Sequence, residues 1–378
     1  MQLSVIILNY NVRFFLEQCV LSVQKALQSI DGEIIVIDNN SSDESCAMMK
    51  QLFPNIKLIE NKENLGFPKG NNIGVAQAKG EYICILNPDT VVSEDTFLKI
   101  LDFVTLSAVE VQNSELGIIG CKLIDGTGNF LPESKRGVPT PWVAFTKIFG
   151  LYKISNLFGK YYAQHLTENQ SGNVEILVGA FMIMKRELYL EIGGFDENCF
   201  MYSDDIDLSY MVLQKGKSNY FFHDTTVIHY KGESTIRDEK YMKRFQEAMQ
   251  FFYKKHFGGS VFFTFFMKIG TFVFSLIKKN QQKNRIFKTD KIVFFTKKDS
   301  NIKYFSSAIL CSKFDDLKIN PNINYEIIFD TDSFSFKEII DYMGINKSKN
   351  ITFKNYIHQS QYIIGSNSAN DIGKIVKL

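Results

Sequence analysis

At three points of this chain an acid stands where an apolar run breaks. In "YICILNPDTVV" (82–92) the run stops at Asn87-Pro88-Asp89. Pro88 alone would make the bend, so the acid needs its own account. A carboxylate fixed there can hold a hard divalent cation on the phosphates of a nucleotide. Mg2+ and Mn2+ take oxygen ligands, commonly one or two protein carboxylates completed by phosphate and water. A solvated Asx-Pro turn is the plain alternative. In "EIIVIDNNSSDES" (33–45), Asp38 closes a second run. It can accept a hydrogen bond from the imide N–H of uracil or thymine, or it can serve a turn or a helix cap. The third point is "SDDIDL" (203–208), with Asp204, Asp205 and Asp207 at a helix start. Acids there complement the helix dipole. Three in four positions, beside Phe200 and Tyr202, exceed that need. Crowding raises the pKa of at least one, which suits a general base. His229, in "VIHYKGEST" (227–235), is either a structural histidine or the imidazole that completes a carboxylate-held metal site.

These groups need a scaffold, and the apolar pattern supplies one. "LSVIILNYN" (3–11) reads as a strand before a helix over 13–29. "EIIVID" is a second strand, followed by a helix with Ser42 or Asp43 as its N-cap. "NIKLIENKENLGF" (55–67) holds a third strand, a helix lies near 71–78, and "YICILNPD" is the fourth strand. Continuous apolar strands separated by helices predict a mostly parallel α/β sheet covered on both faces. Ligands of such sheets bind outside the carboxyl ends of the strands. Those ends carry Asn9 and Asn11, Asp38, Glu60 and Asn61, and Asp89. Further on, 175–187 reads as one strand, and 136–162, which holds the only Trp, as an aromatic lid or a helical excursion. Strands near 292–296, 325–329 and 361–364 predict a small α/β region at the C-terminus.

Composition excludes several classes. The chain has 378 residues, 45% of them hydrophobic, and a net charge of +2, so no global field draws it to nucleic acid. Its six cysteines are scattered without a CxxC pair, which argues against a disulfide framework or zinc site and for a reducing compartment. No GxGxxG, GxxxxGK or GxSxG is present, so a dinucleotide fingerprint, a P-loop and a nucleophile elbow are all missing. "MQLSVIILNYN" has no basic n-region and reads as a strand, so the expected compartment is the cytoplasm.

Taken in order, "SVIILNYN", "EIIVIDNNSSD", "NLGFPKGNNIG", "YICILNPDT", "LVGAFMIMKRE", "GGFDENCFMYSDDIDLSYMV" and "VIHYKGEST" resemble family 2 inverting glycosyltransferases of the GT-A fold, in particular the bacterial rhamnosyltransferase-like branch. The likeness spans residues 1–256. It implies that Asp38 recognises the nucleobase with Asn9 and Asn11 nearby, and that Lys69 and Asn71 lie near the donor. It implies that Asp89 and His229 hold Mn2+ or Mg2+, and that Asp205, beside Asp204, is the general base. Three positions depart from the family pattern: Asn-Pro-Asp replaces Asp-x-Asp, Asp204 replaces the usual Glu, and Met211 stands where relatives often have Arg.

The expectation is a metal-dependent inverting transferase that moves a sugar, L-rhamnose from dTDP-L-rhamnose or another from a pyrimidine nucleotide, onto a surface glycan or lipid-linked acceptor. A sugar-1-phosphate nucleotidylyltransferase is the enzymatic alternative. It lacks its basic Gly-rich loop after the first strand, where "LNYNVRFFLEQ" stands. An inactive glycan- or partner-binding scaffold is the other. The expected domains are 1–256 for the transferase, 257–287 for an apolar and basic helical segment, and 288–378 for the C-terminal α/β region. The run 261–277 falls short of a spanning length and contains Lys268. It is read as a helix at the inner membrane surface or as a core helix.

Overall fold

The computed structural model describes residues 1–109, 116–140, 142–143, 161–230, 239–258, 287–298, 305–367 and 373–378. The apolar run 261–277, and most of 136–162, lie outside them. The chain begins β1 (Leu3–Asn9), α1 (Arg13–Ala26), β2 (Gly32–Asp38), α2 (Ser45–Leu52), β3 (Lys57–Glu60) and α3 (Gly66–Ala76). Next come β4 (Tyr82–Leu86), β5 (Thr90–Val91), α4 (Thr96–Val109) and β6 (Leu116–Ile124). Three short strands follow, β7 (Lys135–Arg136), β8 (Gly172–Val174) and β9 (Ile176–Leu177). Then come β10 (Phe181–Lys185), α5 (Arg186–Glu191), α6 (Asp204–Gln214), β11 (Ser218–His229) and α7 (Glu239–Phe257).

The first sheet has the order β3-β2-β1-β4-β10-β6-β11-β5, with β8 also on β11. β3, β2, β1 and β4 run parallel to one another, and β10 enters antiparallel between β4 and β6. Successive side chains of a strand face opposite ways. Leu3, Val5 and Ile7 therefore pack with α1, α2 and α4, while Ile6 and Leu8 pack with α3, α5 and α6. Both faces are covered, and the predicted mostly parallel sheet between helices is what the fold contains.

The second sheet is built from β12 (Lys291–Phe295), β13 (Ile309–Cys311), β14 (Tyr325–Asp330), α8 (Phe336–Asn346), β15 (Ile351–Ile357), β16 (Tyr362–Gly365) and β17 (Lys374–Lys377). Its order is β13-β12-β14-β15-β16-β17, parallel through β15 and antiparallel beyond. Its core is continuous with Val12, Phe15, Val91, Ile124, Ile228 and Tyr230 of the first sheet's side. Fully burying an aliphatic or aromatic side chain contributes about 1.5–3 kcal/mol. The C-terminal region is thus packed on the first sheet rather than tethered to it.

Several boundaries differ from those read in the sequence. α1 ends at Ala26, with residues 27–29 in a turn. α2 starts at Ser45 with Glu44 at the N-cap, so neither Ser42 nor Asp43 caps it, although Asp43 Oδ1 accepts the Ser45 N–H at 3.0 Å. α3 starts five residues early, at Gly66, and takes in Pro68. A first turn tolerates proline because its N–H groups have no helical partner. The strand expected over 175–187 is broken by Val178–Ala180 into β9 and β10. β13, β15 and β17 were not foreseen.

Candidate functional site

The carboxyl edge of the first sheet begins with Asn9, which lies level with Asp38 in the parallel register of β1 and β2. Asn9 Nδ2 donates to Asp38 Oδ1 at 2.7 Å, and the Ser41 N–H donates to Asp38 Oδ2 at 2.8 Å. Asn11 takes a left-handed backbone, φ +58°, and its Oδ1 accepts the Ser42 N–H at 2.7 Å. These bonds knit the two loops together and leave Asp38 only 2% exposed. Each carboxylate oxygen keeps a second lone pair. Asn9 Oδ1 is buried and has no partner.

α3 lies close against this edge. A Cβ at Gly74 would stand 2.5 Å from both Ile37 and Ile6, so only glycine permits the approach. The approach buries Asn71, whose Nδ2 donates back to the Phe67 carbonyl at 3.0 Å while its Oδ1 finds no partner. Lys69 is exposed. Two residues turn a helix by about 200°, so the expected pair Lys69 and Asn71 face different sides.

The third element is the bend after β4. β5 pairs antiparallel with the end of β11, placing Thr90 opposite His229. The Tyr230 N–H donates to the Asp89 carbonyl at 3.0 Å. This pairing sets His229 Nε2 3.4 Å from Asp89 Oδ1 and 3.4 Å from Asn87 Nδ2. Asp89 is 2% exposed and His229 8%. Asp89 Oδ1, Asn87 Oδ1 and His229 Nδ1 are all buried without a hydrogen-bond partner. Buried polar atoms are nearly always satisfied, and these three leave hydrogen-bonding or ligating capacity open at this edge. Two cis ligands of an octahedral ion at about 2.1 Å stand about 3 Å apart, close to the Asp89–His229 spacing. One carboxylate and one imidazole fit a divalent cation that takes phosphate and water for its other positions. Among the described residues no group of three His, Cys, Asp or Glu surrounds one point.

The acid pair opens α6. Asp205 Oδ2 accepts from Arg136 Nη2 at 2.5 Å and from the Gly179 N–H at 3.0 Å. Asp204, 8% exposed, has its pKa raised to about 7, first by burial and second by the charge of Asp205. Crowding alone was the expected cause, and burial is the larger one. Asp207 serves another purpose: its oxygens meet Lys255 Nζ at 2.8 Å and His256 Nε2 at 2.6 Å, clamping α7 onto α6. The turn that breaks β9 from β10 links the acid pair to the metal-type cluster. Gly179 donates to Asp205, and the neighbouring Ala180 carbonyl accepts the Asn87 N–H at 3.0 Å.

Sequence reasoning missed Arg136, Gly179, Asn87 and the Lys255–His256 clamp. Arg136 stands 69 residues from Asp205, and no spacing signals the pair. Asn87 stood in the quoted motif. Only the pairing of β5 with β11 makes its amide part of the cluster.

Residues 4–115 match the family model Glycosyl transferase family 2. The N-acetylglucosaminyl-diphospho-decaprenol L-rhamnosyltransferase of Mycobacterium tuberculosis is 25% identical over 247 residues, 62% of this chain and 78% of that protein. The minor teichoic acid biosynthesis protein GgaB of Bacillus subtilis is 25% identical over 218 residues, 57% of this chain and 21% of that protein. Among solved structures, the mannosyltransferase PcManGT from Pyrobaculum calidifontis, in complex with GDP-Man and Mn2+, aligns over 72% of this chain and 69% of its own. Its identity is 16% and its TM-score 0.47. Residues 4–115 are a family 2 glycosyltransferase domain.

Proposed function

We propose that the chain is an inverting transferase that moves a sugar from a pyrimidine nucleotide, dTDP-L-rhamnose first among candidates, onto a hydroxyl of a glycan or lipid-linked acceptor. The observation that carries the reading is the buried pair Asp89 Oδ1 and His229 Nε2, 3.4 Å apart at the sheet's carboxyl edge, with Asp89 Oδ1 and His229 Nδ1 left without hydrogen-bond partners. The relative in M. tuberculosis is named for L-rhamnose transfer to a decaprenol-diphosphate-linked sugar, which supports the donor and acceptor classes.

Asp89 and His229 would hold Mn2+ or Mg2+, which supplies charge stabilisation on the departing diphosphate. Asp38, braced by Asn9 and Ser41, offers its remaining lone pairs to the imide of the base. Asn9 and Asn71 offer unpaired amide oxygens to the donor. Asp205 removes the proton from the acceptor hydroxyl, Asp204 lying beside it. The acceptor oxygen bonds to the anomeric carbon as the bond to the diphosphate oxygen breaks on the opposite face. Configuration inverts, and the nucleoside diphosphate leaves with the electron pair.

A lipid-linked acceptor places the enzyme in the cytoplasm at the inner face of a membrane. Among the described residues no helix is long and apolar enough to cross one. The test is a thermal-shift titration with UDP, dTDP and GDP, each with and without Mn2+. A ligand at a hundred times its Kd adds about 2.7 kcal/mol. A Mn2+-dependent shift with dTDP or UDP is expected. Absence of a shift with every nucleotide sinks the reading in favour of a binding scaffold.

A further inference from the structure

We infer that Arg136 is a positioning residue for the proton transfer: with the Gly179 N–H it fixes one oxygen of Asp205 and leaves the other for the acceptor hydroxyl. The inference rests on the proposed role of that pair as the general-base site.

It starts from strand pairing. β7 is two residues long and consists of two buried cations, Lys135 and Arg136. Its antiparallel pairing with β9 sets Lys135 opposite Leu177 and Arg136 opposite Ile176. Lys135 Nζ donates to the carbonyls of Tyr162, Ala163 and Leu166 at 3.2, 3.1 and 2.8 Å, which ties the strand down. Arg136 is then the cation at the acids. Its Nη2 donates to Asp205 Oδ2 at 2.5 Å and to the Leu177 carbonyl at 3.2 Å. The Gly179 N–H adds a second donor to the same Asp205 oxygen at 3.0 Å. Two donors on Oδ2 stop the carboxylate rotating and leave Oδ1 as the basic oxygen.

A buried ion pair is a poor route to stability, because desolvation offsets much of the attraction. Its consequence here is geometric and electrostatic. The guanidinium holds a fixed positive charge against the Asp205 oxygen that is turned away from the reaction. Among the described residues Asp204 has no ion pair of its own: it accepts from the N–H groups of Tyr202 and of itself, and faces Asp205, Arg136 and Cys199. Its pKa rises to about 7, through burial and then the Asp205 charge, with Arg136 pulling the other way. Tyr161 lies against Arg136.

The test measures dTDP release from dTDP-L-rhamnose by the full chain with Mn2+, between about pH 5 and 9, with water or azide as nucleophile. UDP-glucose replaces the donor if UDP gives the larger thermal shift. Azide has no proton to lose: it bonds to the anomeric carbon as the bond to the diphosphate breaks, and no base is needed. Asp205→Asn is expected to lose about 10²–10⁴-fold with water and to recover with azide. In Arg136→Met the water rate falls and its acid limb moves up by about 1–3 pH units, while the azide rate is retained. Arg136→Lys keeps the charge but loses the planar guanidinium that reaches both Asp205 and the Leu177 carbonyl, and its limb falls between those of wild type and Arg136→Met; it decides the matter if Arg136→Met does not fold. An unmoved acid limb overturns the inference, and so does equal loss of the water and azide rates, since the cation would then only hold the fold. Wild-type protein that neither shifts with nucleotide nor releases dTDP overturns the proposed function and this inference with it. Active wild type with an unmoved Arg136→Met profile overturns this inference alone.

Discussion

The two sheets of this protein end their parallel strands in opposite ways. At the carboxyl edge of the first, Asn9 Oδ1, Asn71 Oδ1, Asn87 Oδ1, Asp89 Oδ1 and His229 Nδ1 are buried without partners. At the same edge of the second, Asp330 is fully buried and well served. Its Oδ2 accepts from Thr296 Oγ1 at 2.7 Å and Ser333 Oγ at 2.6 Å, and its Oδ1 from the Asp332 N–H at 3.1 Å. Both edges put an acid at a strand end, so an acid there is no sign of a site in itself. The unsatisfied hydrogen-bonding capacity around it is. Leaving a buried polar atom unpaired costs about 1–3 kcal/mol, which a fold bears where a ligand restores it.

The comparison breaks most visibly through its two acids. Asp89→Ala is expected to cut transfer by about 10³-fold and abolish the Mn2+-dependent nucleotide shift while leaving the protein folded. Asp330→Ala should leave that shift intact and lower the unfolding free energy by about 2–3 kcal/mol, measured by urea titration, because its donors lose their acceptor. If the two variants exchanged effects, the second edge would be the site.

A smaller effect separates the acid pair from both edges. Asp204 has a pKa raised from 3.8 to about 7, so the native state binds a proton that the unfolded chain gives up. Its contribution is complete below about pH 3.8 and is lost as pH rises to about 7. Over that window stability falls as pH rises. Asp204→Asn should remove this slope from urea unfolding measured at several pH values. An unchanged slope would mean that Asp204 is ionised in the native state.

The smallest effect concerns the joint between the sheets. Glu94, just beyond β5, accepts the N–H groups of Phe336 and Lys337 at 2.8 Å each and so caps α8 from across the interface. Glu94→Ala should cost about 1 kcal/mol, with the nucleotide shift unaltered. A nucleotide shift that weakened with it would mean that the second sheet also shapes the first sheet's edge.

Much of this molecule was legible residue by residue. β1, β2 and β4 are runs of Leu, Ile and Val, which read as strands buried on both faces. The breaks after them put Asn9, Asp38 and Asp89 at one edge, because parallel strands joined by helices all end on the same side. The start of α3 was missed because Gly66 and Pro68 are helix breakers everywhere except in a first turn. β9 and β10 were read as one strand because nothing polar interrupts the run between them; the break at Val178–Ala180 accompanies the approach of α6, whose Asp205 takes the Gly179 N–H.

The chain's own order of residues thus settled β1 to β4 and the helices between them, and which acids stand at those strand ends. That information is local: side-chain period, breakers and caps act over a few residues. It did not settle which acid is paired, or with what. Asp89 meets His229 only because a two-residue strand adds antiparallel to β11, and Asp205 meets Arg136 only because β7 pairs with β9. Those registers join residues far apart in the chain. They follow from the packing of the whole sheet, and so the charge and the geometry of the site belong to the tertiary structure alone.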